Sequence, residues 1–454
     1  MLSTESHFMI IYAPVNDKEL REGIRCLYDK VIHATCELDA VVIKLPLDKW
    51  ISLLSLNMLM IFIESVLYKI PQFRICIELF DVELALELLE NPDASALKKS
   101  REQFSRKIIF YDAVDIINLL VSRNVMVSPS PKTIIELQEK IGANKKQREF
   151  LYSTSMLPLS PLIESEEDQH ELTMRIRTLT SILYHNLGHR LDLDSIREAS
   201  DQIMFELVKN IYQHSELPSD YTTKSRGFAC AQINPISTIV SPQFDDLLIK
   251  AALDHKKKSR KQSQWKWLCI SVNDFGVSIS KKVYDFLFSK NDKDQKIGRY
   301  TIRSTDKEND SLLIKVAATT DFSTKLIHAP QDEEDNWSTK EEDIPLAGKG
   351  HGLIYCLNFI GKTCGRMRIR SRSVEVDFFI KVEAFLDSSI WENIENTELF
   401  LREKSEDILV IETRIIPENA SRFPGTQILI EVPVEIWFDK DEPEKDKKEA
   451  YGNA

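Results

Sequence analysis

The chain of 454 residues is 43% hydrophobic and 9% aromatic, which excludes a disordered scaffold and gives room for two or three cored domains. A formal net charge of −12 argues against nucleic acid or an anionic membrane as a general partner, since like charges repel, and the basic run His255–Lys261 reads as a solvated loop. The seven cysteines, at positions 26, 36, 76, 230, 269, 356 and 364, form no Cys-x-x-Cys pair, so neither a disulfide framework nor a zinc ribbon is expected and a reducing cytoplasm fits best.

The opening residues lack the apolar run of a secretion signal. The most apolar stretch, Lys49 to Glu64, is too short for a membrane span and is interrupted by Ser52, Ser55 and Asn57, so it reads as a buried helix and no membrane partner is expected. Residues 1–130 read as a small α/β domain. Phe8–Tyr12, Val41–Leu45 and Arg74–Leu79 have the character of strands, and Leu53–Tyr68 and Val114–Arg123 that of helices, which implies a largely parallel sheet. The stretch Val41–Leu79 faintly resembles the STAS fold of anti-sigma-factor antagonists, with Ser52 and Ser55 near the place where that family is phosphorylated. Residues 131–168 are rich in proline and charge and read as a linker with one helix.

A second α/β domain is expected over 169–438. Its first helix, with Leu172, Ile176, Leu179, Leu183 and Leu187 in register, carries His185 and His189. Asn186 stands where a zinc protease needs Glu, so these histidines read as surface or interhelical groups. The next helix opens with a capping box, Ser195 to Glu198, and buries Ile196, Ala199, Ile203, Leu207 and Ile211. On the edge of that stripe Glu206, Asn210, Gln213 and His214 fall at i, i+4, i+7 and i+8. An Asn oxygen ligates Mg²⁺ without repelling phosphates, and a Glu one turn earlier can orient or deprotonate a water.

Three further stretches follow in order. The strand Trp265–Val272 runs into Asn273-Asp274-Phe275-Gly276; Gly348-Lys349-Gly350-His351-Gly352-Leu353 opens an apolar helix; Pro424-Gly425-Thr426 leads the strand Gln427–Pro433. The glycines clear the way for backbone amides to approach phosphate at the positive end of a helix. No Gly-Lys-Ser/Thr closes the loop, so it is not a Walker A motif.

Taken in order, the four elements resemble the N box and three glycine boxes of the GHKL ATP-binding superfamily. That resemblance implies a Bergerat-type α/β sandwich, a mixed sheet with helices on one face. It implies ATP and Mg²⁺ as ligands, with Glu206 activating water and Asn210 holding Mg²⁺. Asp274 would accept from the exocyclic amine of adenine beside Gly276, with Thr426 bridging to both through water. Gly348, Lys349, Gly350, His351, Gly352 and Leu353 would hold the phosphates. Residues 277–347 would be the ATP lid, in which Thr324 and Lys325 reach the γ-phosphate and 332–343 is an acidic mobile run. Two positions depart from the family: Ser278 replaces the second glycine of Asp-x-Gly-x-Gly, and Gln213 replaces a basic residue found in many kinases of the group. Residues 384–423 read as an insertion with a strand at Asp407–Ile411, and 439–454 as a charged tail.

The expected function is slow Mg²⁺-ATP hydrolysis in which lid closure controls the N-terminal domain or a partner protein. A protein kinase of the anti-sigma-factor type and a non-hydrolysing, nucleotide-gated module remain open, as does pairing of two subunits.

Overall fold

A computed structural model describes residues 8–14, 17–33, 38–46, 53–80, 126–128, 155–159, 174, 202–208, 210–211, 227–235, 262–289, 293–297, 299–320, 352–363, 365–372, 374–380, 389, 396–397, 399–401, 409–415 and 423–438. The chain is α/β. In the N-terminal part the order is β1 (Phe8–Tyr12), α1 (Asp17–Ile32), β2 (Leu38–Pro46), α2 (Leu53–Lys69), β3 (Arg74–Phe80) and β4 (Met126–Ser128). The four strands lie in sequence order in one sheet and every pair is parallel. The expected strands and the expected long helix therefore fall where the apolar runs placed them, whereas Val114–Arg123 lies outside the described residues.

Alternation decides which face of this sheet is covered. Val41, Ile43 and Leu45 of β2 and Ile75 and Ile77 of β3 are buried, while Met9, Ile11 and Met126 are exposed. The helices α1 and α2 pack on each other. From Ser55 to Val66, apolar and polar residues of α2 alike are buried, including Ser55, Asn57, Glu64 and Ser65. A helix buried all round has two neighbours, and the second neighbour of α2 is the sheet of the C-terminal part.

That second sheet has seven strands in the order β12-β11-β10-β13-β7-β6-β5. They are β5 (Ser155–Leu159), β6 (Gly227–Pro235), β7 (Gln262–Asp274), β10 (Arg366–Arg372), β11 (Val374–Ile380), β12 (Leu409–Ile415) and β13 (Phe423–Phe438). Between β7 and β10 come α3 (Ile279–Phe288), the hairpin β8 (Gln295–Ile297) and β9 (Tyr300–Ile302), α4 (Asp310–Thr319) and α5 (Gly352–Thr363). Every described pairing in the seven-stranded sheet is antiparallel. This corrects the expectation of a mixed sheet: β10 and β11 form a tight hairpin, and β7 and β13 run past each other over their full lengths, which leaves no parallel neighbours.

One face of this sheet contributes Leu268, Ile270, Val272, Met367, Ile369, Val376, Phe378, Ile428 and Ile430 to a core closed by α3, α4, α5 and the helical residues 202–208 and 210–211. The other face meets α2 along β7 and β13. Among the described residues the helices of this part lie on one face of the sheet, and the other face is met by α2.

Three boundaries differ from those read in the sequence. Ser155–Leu159, placed in the linker, is an edge strand pairing with β6; Pro158 is tolerated because an edge strand leaves alternate N–H groups unused. Residues 279–320, placed in the lid, fold as α3, the hairpin and α4, and supply Val283, Ile302, Leu313, Ile314 and Val316 to the core. Only 321–347 remains for a lid, and it lies outside the described residues. The strand expected at Asp407–Ile411 is present as Leu409–Ile415, on the opposite edge beside β11. Among the described residues no helix is long and apolar enough to cross a membrane.

Candidate functional site

The site has two described halves on the helix side of the sheet. The first is built on helical residues 202–211. Ile203, Leu207 and Ile211 are buried as their spacing requires, together with Met204 and Val208. Glu206 and Asn210 sit at the partly open edge of that stripe. Asn210 meets the first residue of α5: a Cβ built on Gly352 would lie 2.7 Å from Asn210 Nδ2. A side chain at this position would push the end of the Asn210 side chain aside, so glycine leaves the amide where it is. Glu206 faces the same helix one residue turn further in. Burial raises the pKa of the Tyr355 hydroxyl and the Cys356 thiol, and the Glu206 charge adds to the rise in each.

The second half is the end of β7. Asp274 is buried, and its Oδ1 accepts from the Gly276 N–H at 2.9 Å. The nearby hydroxyl and backbone N–H of Thr426 favour the charged form of this carboxylate. Thr426 Oγ1 in turn accepts from the Ile279 N–H at 2.9 Å, at the first turn of α3. Thr426 therefore links the Asp274 end of β7 to the start of α3. Burial pushes the Asp274 pKa up to about 6, and the Gly276, Thr426 and Arg370 interactions hold it from rising further.

Strand β7 ends between two close glycine approaches. Gly227 lies opposite Asp274, and a Cβ there would stand 2.0 Å from the Asn273 carbonyl oxygen. Gly425 has φ +71°, and its Cβ would stand 1.9 Å from the Asp274 carbonyl oxygen. A left-handed φ and a backbone in contact together leave glycine as the one fitting residue. Ser278, where the resemblance implied a glycine, sits without strain: its φ is −61° and its side chain caps α3 by accepting from the Lys281 N–H.

The two halves border one core, since Leu207, Ile211, Val272, Leu353 and Ile428 belong to the same buried cluster. Lys325, Gly348, Lys349, Gly350 and His351, with Gln213 and His214, lie outside the described residues; Leu353 is buried in the first turn of α5. Among the described residues no group of three or more His, Cys, Asp or Glu could hold a metal. Asn210 alone suits a Mg²⁺ that takes its other ligands from phosphate oxygens and water, as that ion commonly does.

What the sequence reading missed lies behind the pocket. Arg370 of β10 is fully buried and donates through Nη2 to the Pro424 carbonyl oxygen at 3.1 Å, at the head of the turn that carries Thr426. The period-two run of arginines from 366 to 372 was the available signal. A search of family models, curated proteins and solved structures finds no match to this chain.

Proposed function

We propose that residues 169–438 form a Bergerat-type ATP-binding domain of the GHKL superfamily that binds Mg²⁺-ATP and hydrolyses it slowly, with closure over the nucleotide controlling the N-terminal part or a partner protein. The observation that carries this reading is the seating of the Asn210 amide on Gly352 at the N-terminal turn of α5. Residues far apart in the chain meet there, where an amide oxygen and the positive end of a helix both favour a Mg²⁺-phosphate group.

Each residue then has a role that its surroundings support. Asp274 presents a desolvated carboxylate held by Gly276 and Thr426. Such an acceptor pairs with the exocyclic amine of adenine, and it leaves guanine, with a carbonyl at that position, unpaired. Asn210 would hold Mg²⁺, which when bound offsets the phosphate charge. Glu206, one helical turn before it, would orient and deprotonate a water. Gly348, Lys349, Gly350, His351 and Lys325 would complete the phosphate side.

The purified protein is incubated with γ-labelled ATP and Mg²⁺, and free phosphate, protein-bound label and intact nucleotide are separated. Slow release of free phosphate that disappears in Glu206→Ala, with ATP binding retained, is the expected result. Label on protein would instead identify a kinase, and binding without turnover a nucleotide-gated module. Absence of ATP binding by the wild-type chain would remove the reading altogether.

A further inference from the structure

The back of the seven-stranded sheet is buried yet ionic. Directly opposed pairs across the strands are Arg366 with Glu431, Arg368 with Asp377, and Arg370 with Glu375. Arg366 Nε donates to Glu431, and Arg368 Nη2 donates to Asp377 Oδ2 at 2.9 Å. Glu375 is taken by the other part of the molecule: Arg25 of α1 donates to its Oε1 at 2.6 Å. Next to it Asn57 of α2 donates to Ser271 Oγ at 2.6 Å, and Asn273 donates to the same oxygen at 3.3 Å. Among the described residues, the side-chain oxygens of Asn57 and Asn273 are buried with no hydrogen-bond partner.

Such a contact is unlike a permanent core. Buried charges and orphan amide oxygens cost free energy that a closed apolar seam would not, and all of them recover solvation when the surfaces part. Contacts between parts of one chain with this polarity behave as transient ones.

Arg370 stands where this contact reaches the adenine side. On one flank it holds the Pro424 carbonyl and so the turn bearing Gly425 and Thr426. On the other, Glu375 lies directly across the strand pair. Burial alone would raise the Glu375 pKa, but Arg25 and Arg368 outweigh it and keep the carboxyl below its ordinary range. Glu375 is therefore ionised; it accepts from Arg25, lies near Arg368 and Arg21, and its charge also acts on Arg370. Without Arg25 that charge is left to Arg368, Arg21 and Arg370, and the added pull on Arg370 draws its guanidinium from the Pro424 turn and from Asp274.

We propose that Arg370 is a positioning residue of the adenine pocket, and that docking of the N-terminal part through Arg25 and Glu375 sets its position, so that docking and adenine-nucleotide affinity are coupled. This rests on the ATP-binding reading for its ligand, but not for its structural link.

The test uses the full chain, with Arg25→Ala, Arg25→Lys, Glu375→Gln and, as a control on a like pair remote from the Pro424 turn, Arg366→Met. ATP affinity is measured by calorimetry, and amide hydrogen exchange is followed at residues 425–427. Arg25→Ala should weaken ATP binding about five- to tenfold, in the lower range of ordinary intersite coupling, and speed exchange at 425–427. The Arg25→Ala, Glu375→Gln double variant should lose less than the sum of the singles. Arg366→Met should leave both readouts unchanged after correction for stability. Unchanged affinity and exchange in folded Arg25→Ala, or an equal effect from Arg366→Met, overturns the proposal. Should Arg25→Ala not fold, Arg25→Lys and Glu375→Gln carry the same comparison. If the wild-type chain binds no ATP, the proposed function fails, and exchange at 425–427 alone decides the link.

Discussion

The two faces of the seven-stranded sheet are equally buried and chemically opposite. Toward α3, α4 and α5 the strands present Ile270, Ile369, Phe378 and Ile430; on the opposite face, which α2 meets at β7 and β13 and Arg25 of α1 reaches at Glu375, they present Ser271, Arg368, Arg370, Asp377 and Glu431. A single period-two alternation along β10, Met367-Arg368-Ile369-Arg370, feeds both. The helix face is held by area removed from water, which needs no particular partner. The back face is held by matched charges, each of which depends on particular oppositely charged or polar neighbours. The first suits a permanent core, the second a contact that can be set and released.

Breaking the comparison at its strongest point means leaving a charge alone. Arg368→Ala should cost about 3–5 kcal/mol in denaturant unfolding, because Asp377 stays buried and loses the guanidinium that offsets its charge. Replacing both, Arg368→Met with Asp377→Leu, should recover most of that loss. On the other face Phe378→Ala, with its side chain fully buried, should also cost about 3–5 kcal/mol, but no second polar-to-apolar change should rescue it. Equal rescue on both faces would erase the distinction.

A smaller effect concerns Asp274. Its folded pKa of about 6 lies above the ordinary carboxylate value, so its contribution to stability is greatest below pH 4 and is lost as pH rises through about 6. Asp274→Asn, which stays neutral, should therefore be more stable than the wild type at pH 8 by on the order of 2–3 kcal/mol and no more stable below pH 4. The same variant should lose ATP binding, and wild-type ATP affinity should fall as pH drops through about 6. The smallest expected stability effect is at Gly352→Ala. Its added carbon meets the end of the Asn210 side chain rather than backbone, so thermal unfolding should shift little, while Mg²⁺-dependent nucleotide binding should drop sharply in calorimetry.

The elements that sequence placed well are those whose signal is local. The apolar runs of β1, β2, α2 and β3 declare themselves, and so do the stripe through Ile203, Leu207 and Ile211 and the glycine-bearing ends of β7, α5 and β13. Asn210 against Gly352, and Asp274 against Thr426, follow from reading those ends as parts of one pocket. The back face was not legible because strands with alternating charge ordinarily face water. Here the cover comes from a helix some 300 residues earlier in the chain, a long-range fact that no window contains. Its traces in the sequence are the period-two arginines of β10 and the polar residues of α2, Asn57 among them, which interrupt an apolar run. Strand β5 was missed for a related reason, since a proline-rich segment signals an edge as well as a linker.

The arginine run of β10 ends in a change of side. Its last member, Arg372, has φ +52° at a shift in register with β13. It donates to Asp310 and Glu308 at the head of α4 instead of joining its three predecessors. One bulge thus divides a repetitive tetrad between two clients, and the strained backbone at residue 372 is a hinge of allegiance: shortening the strand by one residue upstream would hand the α4 anchor to the docking surface and exchange the duties of both.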